Sequence, residues 1–209
     1  MTMDASRFDN LARTLARPAS RRTLGRAATG FAVSGALGRA LAPTRVLANP
    51  KSAAVCPDGA NPIGVGLQDG VAQTFTPSLS GKLSRVDVTM SHGPTTTSGY
   101  LVRILKTDTS GTPIASPVLA KKVLPITAVP GGGNVSLTFK FKKRKAAKVV
   151  KDTKYAILVT RTDPAEGVTG HGRTGDPCTG GNIFGFAAST NSFFAQTDTD
   201  LVFEAFVGY

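Results

Sequence analysis

Hydrophobic and polar positions alternate most cleanly over residues 134–141. There Val135, Leu137, Phe139 and Phe141 fall on one side of an extended chain, and Ser136, Thr138 and Lys140 fall on the other. A period of two describes a strand with one face in a core and one in water. Shorter stretches rich in β-branched and aromatic residues recur at 71–76, 83–90, 99–106, 118–124, 154–161, 183–188, 193–197 and 201–207, separated by clusters of Gly, Pro, Ser, Thr and Asp. Such punctuation marks turns between strands. After residue 48 no long stretch carries the helical period.

Eight or nine strands within residues 71–207 predict an all-β fold, either a barrel or two packed sheets. Residues 155–160 are apolar almost without interruption. That suits a central strand and favours a two-sheet antiparallel β-sandwich of about 8–9 strands. Pro113, Pro117, Pro125 and Pro130 bracket the 118–124 stretch. Proline brings no N–H to a ladder, so this strand belongs at an edge, where Lys121 and Lys122 discourage unwanted pairing. Residues 49–70 are rich in Gly, Pro and small side chains and have no sustained period, which reads as an irregular N-terminal arm.

Ahead of that arm the pattern changes. Ser20-Arg21-Arg22-Thr23-Leu24-Gly25-Arg26 leads into an apolar run at 27–37 and then into small residues ending at Ala48. A positive stretch, a short apolar core and a small-residue cleavage site compose an export signal. The run is shorter than the roughly 20 apolar residues of a spanning helix, so the mature form is expected not to span a membrane. Ser20, Arg21, Arg22, Leu24 and Arg26 together resemble the twin-arginine translocation signal of bacterial proteins, and Arg39 and Arg45 beyond the apolar run agree with it. The resemblance implies the twin-arginine export machinery as a partner and a secreted, periplasmic or cell-surface location. Cleavage is expected after Ala48, with Ala42 as the alternative. The chain then divides into a leader at 1–48, an arm at 49–70 and a sandwich domain at 71–209, and the mature length is that of a domain with one core.

The leader also alters the charge. It holds 8 of the 25 Lys and Arg residues and 2 of the 13 Asp and Glu residues, so removing it lowers the net charge from +12 to +6. Much of the remaining excess is one run, Lys140, Lys142, Lys143, Arg144, Lys145, Lys148, Lys151 and Lys154, opposed within it only by Asp152. High overall basicity is therefore poor evidence for a nucleic-acid partner, and none is expected. Two readings of the run stay open. Lys140, Lys142, Lys143, Arg144, Lys145 and Lys148 form a site for a polyanion such as an acidic glycan or wall polymer, or they are a solvated strand end and hairpin. No aromatic residue occurs between Phe141 and Tyr155, which argues against a stacking platform for single-stranded nucleic acid.

The only cysteines are Cys56 and Cys178. An even count in an exported chain points to one bridge, with two unpaired thiols as the alternative. Zinc would need closer ligand pairs than these cysteines and two isolated histidines provide. Catalytic patterns are equally sparse. There is no G-x-S-x-G elbow. His92 reads as a strand-to-turn residue and His171 as a solvent-facing loop residue. Glu166 and Glu204 are the only glutamates, and Asp198 and Asp200 supply too few oxygens for calcium. Gly64, Gly66 and Gly70 lack phosphate-loop spacing. No catalytic residue, metal ligand or cofactor is assigned; a hydrolase assembled from distant residues is the enzymatic alternative.

Four segments carry a family likeness: Gln73-Thr74-Phe75-Thr76, Gly81-Lys82-Leu83-Ser84-Arg85-Val86, Lys154-Tyr155-Ala156-Ile157-Leu158-Val159 and Asp200-Leu201-Val202-Phe203. Their succession resembles jelly-roll-like β-sandwich domains of bacterial secreted and surface proteins. The resemblance implies a non-catalytic attachment, adhesion or carbohydrate-binding-like module. The functional expectation is thus an exported binding module, with carbohydrate or polyanion recognition as the narrower alternatives. The carbohydrate reading has little aromatic support, because the chain lacks Trp and places Tyr100 and Tyr155 within strands.

Overall fold

Two-residue alternation, wherever the chain carries it, is realised as strand. The computed structural model describes residues 49–208 except 58–61, 68, 176, 177, 179, 197 and 198. Ser20, Arg21, Arg22, Leu24, Arg26 and both candidate cleavage positions lie outside the described residues. In chain order the strands are β1 (Lys51–Cys56), β2 (Pro62–Leu67), β3 (Gly70–Phe75), β4 (Gly81–His92), β5 (Tyr100–Thr107), β6 (Pro113–Ile114), β7 (Ala120–Leu124), β8 (Gly133–Lys140), β9 (Lys148–Val149), β10 (Tyr155–Arg161), β11 (Val168–Thr174), β12 (Ile183–Ala187), β13 (Ser192–Gln196), β14 (Thr199–Leu201) and β15 (Phe203–Gly208). Among the described residues the only helical element is a 3-10 turn at Ile126–Ala128, and no helix is long and apolar enough to cross a membrane.

All nine stretches identified by periodicity are strands, the last of them interrupted at Val202 between β14 and β15. They pair antiparallel into two sheets that form a sandwich. One sheet runs β1-β15-β4-β11-β14, with β2 also on β11 and with β8 and β9 also on β4. The other runs β13-β12-β3-β10-β5-β6, with β7 also on β5. As the prolines and lysines implied, β7 is an edge strand, paired among the described residues only with β5.

The continuous apolar stretch is β10, held between β3 and β5 and buried at every position. Tyr155, Ile157 and Val159 pack in the main core with Leu83, Val86, Met90, Leu137 and Phe139. Ala156 and Leu158, on the alternate positions, belong to a second cluster with Ala72, Leu105, Phe184 and Phe186. Two apolar clusters thus replace the single core expected from length, because a strand apolar on both faces seeds burial on both. Full burial of a side chain such as Ile157 stabilises by about 1.5–3 kcal/mol.

Residues 49–70 are not an irregular arm. They contain β1, which pairs with β15, and β2, which pairs with β11. Small residues and glycine gave no period there, and the ladder partners supply what local preference lacks. The same holds for β11, whose sequence Val-Thr-Gly-His-Gly-Arg-Thr looks like loop. A Cβ on Gly170 would lie 2.5 Å from Leu201 Cδ1, so the bare backbone permits a close approach there. In consequence His171 is not solvent-facing: it sits on β11 and is 5% exposed. Strands β6 and β9, of two residues each, are too short to show any period.

Cys56 at the end of β1 is bridged to Cys178, between β11 and β12, with 5.3 Å between their Cα atoms. The two thiols are therefore joined, as their even count predicted. Beside them Asp200, 1% exposed, accepts hydrogen bonds from Gln73 Nε2 at 2.7 Å and from the Cys178 N–H at 3.1 Å. Gln73 Oε1 in turn accepts the Leu201 N–H at 2.7 Å. Because Gln73 is on β3 and Asp200 on β14, this buried network ties one sheet to the other. A buried carboxylate needs such partners.

Candidate functional site

The basic run begins where β8 leaves its sheet. Alternation along β8 puts Lys140 on the exposed face, while the next residue, Phe141, is 3% exposed and anchors the turn in the core. The Phe141 N–H donates to the Ser84 carbonyl at 2.9 Å, and the Lys145 N–H donates to the Lys142 carbonyl at 2.7 Å. Buried Ala147 and Val149 return the chain to β9. An exposed turn between buried anchors is the result, with Lys142 and Lys145 both lining one cleft.

The opposite wall comes from the other sheet, where β7 and β5 contribute Lys121, Lys122 and Arg103. Arg103 is opposite Lys121 across the β5–β7 ladder. The cleft has a volume of about 1090 Å³ and is lined by six cations, Arg103, Lys121, Lys122, Lys140, Lys142 and Lys145, with no carboxylate. Leu101, Val118, Leu119 and Val123 provide an apolar strip between them. The Arg103 guanidinium turns from β7 across β10, 5.7 Å from the centre of the Phe186 ring. Its Nη2 donates to Thr160 Oγ1 at 3.2 Å, its Nε is buried without a partner, and burial lowers its pKa from the ordinary arginine value. Like any arginine it stays protonated. Among the described residues no carboxylate pairs with Lys121, Lys122, Lys140, Lys142 or Lys145; the ion pairs are Arg85–Asp87 at 3.1 Å and Lys151–Asp152 at 4.0 Å.

The fold divides the residues singled out by sequence. Lys140, Lys142 and Lys145 come together, whereas Lys143, Arg144 and Lys148 do not line the cleft. The Lys143 carbonyl accepts a hydrogen bond from Lys82 Nζ at 3.0 Å, and Lys148 is opposite Lys82 across β4 and β9. Sequence reasoning assigned Lys121 and Lys122 to edge protection and overlooked Arg103. Their only signal was positive charge on stretches read as strands, since closeness to the basic run depends on how the sheets pack.

The residues considered for catalysis are dispersed. His92, 9% exposed, has Nδ1 3.5 Å from Tyr100 Oη, and the Arg161 guanidinium lies 3.9 Å from the centre of the Tyr100 ring. Glu166 is committed to the 93–99 loop: it accepts from the hydroxyls and backbone N–H groups of both Thr97 and Ser98. The hydroxyls of Thr97 and then Ser98 are the main cause of a carboxyl pKa lowered to about 2. A carboxylate so stabilised is poorly suited to donate a proton near neutrality. Asp198 lies outside the described residues, and Asp200 turns inward to Gln73. Asp200 also lies close to both cysteine sulfurs, but these are bonded to each other and do not form a thiolate metal site.

Glu166 makes the loop acid-sensitive in a defined direction. Its folded pKa is lowered, so its contribution is present above the ordinary carboxylate range and is lost as pH falls from about 4.5 towards about 2. Protection of the Thr97 and Ser98 amides against exchange should be high at the upper end and fall at the lower one. In Glu166→Gln that pH dependence disappears. Equal protection at both ends in the wild-type chain would contradict the assignment.

No protein-family model matches the sequence, and no curated protein matches it significantly. Among solved structures it is similar to a variant of the clostridial cysteine protease Cwp84 after propeptide cleavage, with 15% identity and a TM-score of 0.44, covering 69% of this chain and 37% of that one. It is also similar to the cysteine protease and lectin-like domains of Cwp84, a surface layer associated protein of Clostridium difficile. There the identity is 16% and the TM-score 0.45, covering 68% of this chain and 33% of that one. The chain thus spans about a third of the length of each.

Proposed function

We propose that this chain is an exported, non-catalytic β-sandwich that binds acidic polymers of the cell envelope or extracellular space through the cleft between β7 and the turn after β8. The observation that carries the proposal is that Lys121 and Lys122 from one sheet, and Lys140, Lys142 and Lys145 from the end of β8 and the turn after it, line one cleft that no carboxylate lines. Like charges gathered in this way repel one another, and an anionic ligand relieves that repulsion. The strip formed by Leu101, Val118, Leu119 and Val123 offers contact to the uncharged backbone of a polymer. The buried disulfide supports an oxidising compartment, as does the leader pattern.

A neutral-sugar platform has less support. Such sites use exposed rings, and Tyr100 and Tyr155 are 0% and 5% exposed. The distinguishing experiment measures binding of the full chain to inorganic polyphosphate, heparin and a panel of neutral glycans as salt is varied. Retention by the two polyanions that weakens steeply with salt is expected, with none by the neutral panel. Salt-independent retention by a neutral glycan would overturn the polyanion reading. Turnover of a defined substrate, abolished by one substitution, would overturn the non-catalytic one.

A further inference from the structure

The seven-stranded sheet ends differently on its two sides. At one edge β6 and β7 carry Pro113, Lys121 and Lys122, devices that deter a stray strand. At the other edge β13 pairs only with β12 among the described residues, leaving the outer backbone groups of β13 without a strand to meet. The β13 sequence Ser192-Phe193-Phe194-Ala195-Gln196 has neither charge nor proline, and no charged residue occurs anywhere from 180 to 196. Ser192, Phe194 and Ala195 are exposed.

Phe194 is also held in place. It is opposite Gly185 on β12, and a Cβ built on that glycine would be 2.0 Å from the ring. The missing side chain makes room for the aromatic ring, which still keeps 43% of its surface exposed. Next to it Phe193 packs on Phe186 with 5.0 Å between ring centres, fixing the strand from its alternate face. The edge is therefore ordered and apolar without any of the usual protection.

We propose that β13 pairs antiparallel with β13 of a second copy of this chain, centred on Phe194. In that register Phe194 meets its own counterpart, Phe193 lies opposite Ala195, and Ser192 lies opposite Gln196. The segment is complementary to itself: no like charges meet, polar ends face polar ends, and two aromatic side chains become cross-strand neighbours. A copy of the same strand fits better than a charged partner, for which this edge has no counter-charge. A twofold pair consumes both free edges and leaves the lysine- and proline-bearing edges outermost, so assembly closes at two chains. Two seven-stranded sheets become one of fourteen.

Sedimentation velocity of the full chain over a wide concentration range is the direct test. A monomer–dimer equilibrium is expected, and Phe194→Lys should shift it to monomer by placing like charges opposite each other. Phe194→Cys provides a check on register. Opposed Cα atoms in an antiparallel pair are about 4.5–5.5 Å apart, within disulfide range. Oxidised Phe194→Cys should therefore form a covalent dimer, while Ser192→Cys, displaced from its own counterpart, should not. Should Phe194→Lys fail to fold, the two cysteine variants decide the matter. A wild-type chain that is monomeric throughout, a dimer that persists in folded Phe194→Lys, or equal cross-linking by both cysteine variants overturns the proposal.

Discussion

Replacing Lys121, Lys122, Lys142 and Lys145 together by alanine is expected to reduce polyphosphate affinity about a thousandfold near 0.1 M salt. It should also flatten the dependence of log affinity on log salt by about 3. Each cation that neutralises a phosphate releases condensed counterions and adds roughly 0.7–0.9 to that slope, so four contacts contribute about 3. The arithmetic requires that all four reach the polymer, which is what their shared cleft allows and their sequence positions do not. All four side chains are exposed, so the variant should keep its thermal midpoint within the small range typical of surface changes. The matched control is Lys143→Ala, Arg144→Ala, Lys148→Ala and Lys151→Ala, which removes the same charge from positions outside the cleft lining. If both quadruple variants lose affinity equally, the protein binds through diffuse charge and the cleft is not the site.

The largest expected loss of stability comes from Cys56→Ala combined with Cys178→Ala. The bridge spans 122 positions, and closing a loop of that length stabilises by about 4–5 kcal/mol in the chain-entropy account, against 2–5 kcal/mol typically lost when native bridges are removed. For a domain of this size a loss of about 4 kcal/mol lowers the melting temperature by roughly 8–16 °C. The site gives local reasons as well. Cys56 is 0% and Cys178 8% exposed, and the Cys178 N–H is one of the donors that hold buried Asp200. Without the bridge, the segment carrying that donor is tied to the sandwich by fewer contacts. Urea unfolding of the oxidised chain and the double variant, compared at the same pH, measures the difference. A loss below about 1 kcal/mol would show that β1 and the Cys178 segment are held by other interactions.

What could be read from sequence follows from how local each signal is. Strand β8 was legible because its core and solvent positions alternate without a fault, and β10 because both of its faces are covered. Strand β11 was hidden: Gly170 is required by the approach of Leu201, a contact 31 positions away, and His171 looked like a loop residue between two glycines. Strands β1 and β2 form against β15 and β11, whose sequences gave no hint of those partners. The candidate site divides in the same way. A run of adjacent lysines is visible at once, but only the fold separates Lys142, which lines the cleft, from Lys143, which does not. Lys121 and Lys122 join the group through packing of one sheet against the other. The disulfide was legible because two cysteines allow only one pairing.

The first strand of the described domain is hydrogen-bonded to the last: residues 51–56 run beside 203–208. This ladder cannot be completed until residues 203–208 have been made, so the closing contacts have a long sequence separation and a high loop-closure cost. During synthesis the domain would therefore mature late, with β1 waiting for a partner about 150 residues downstream.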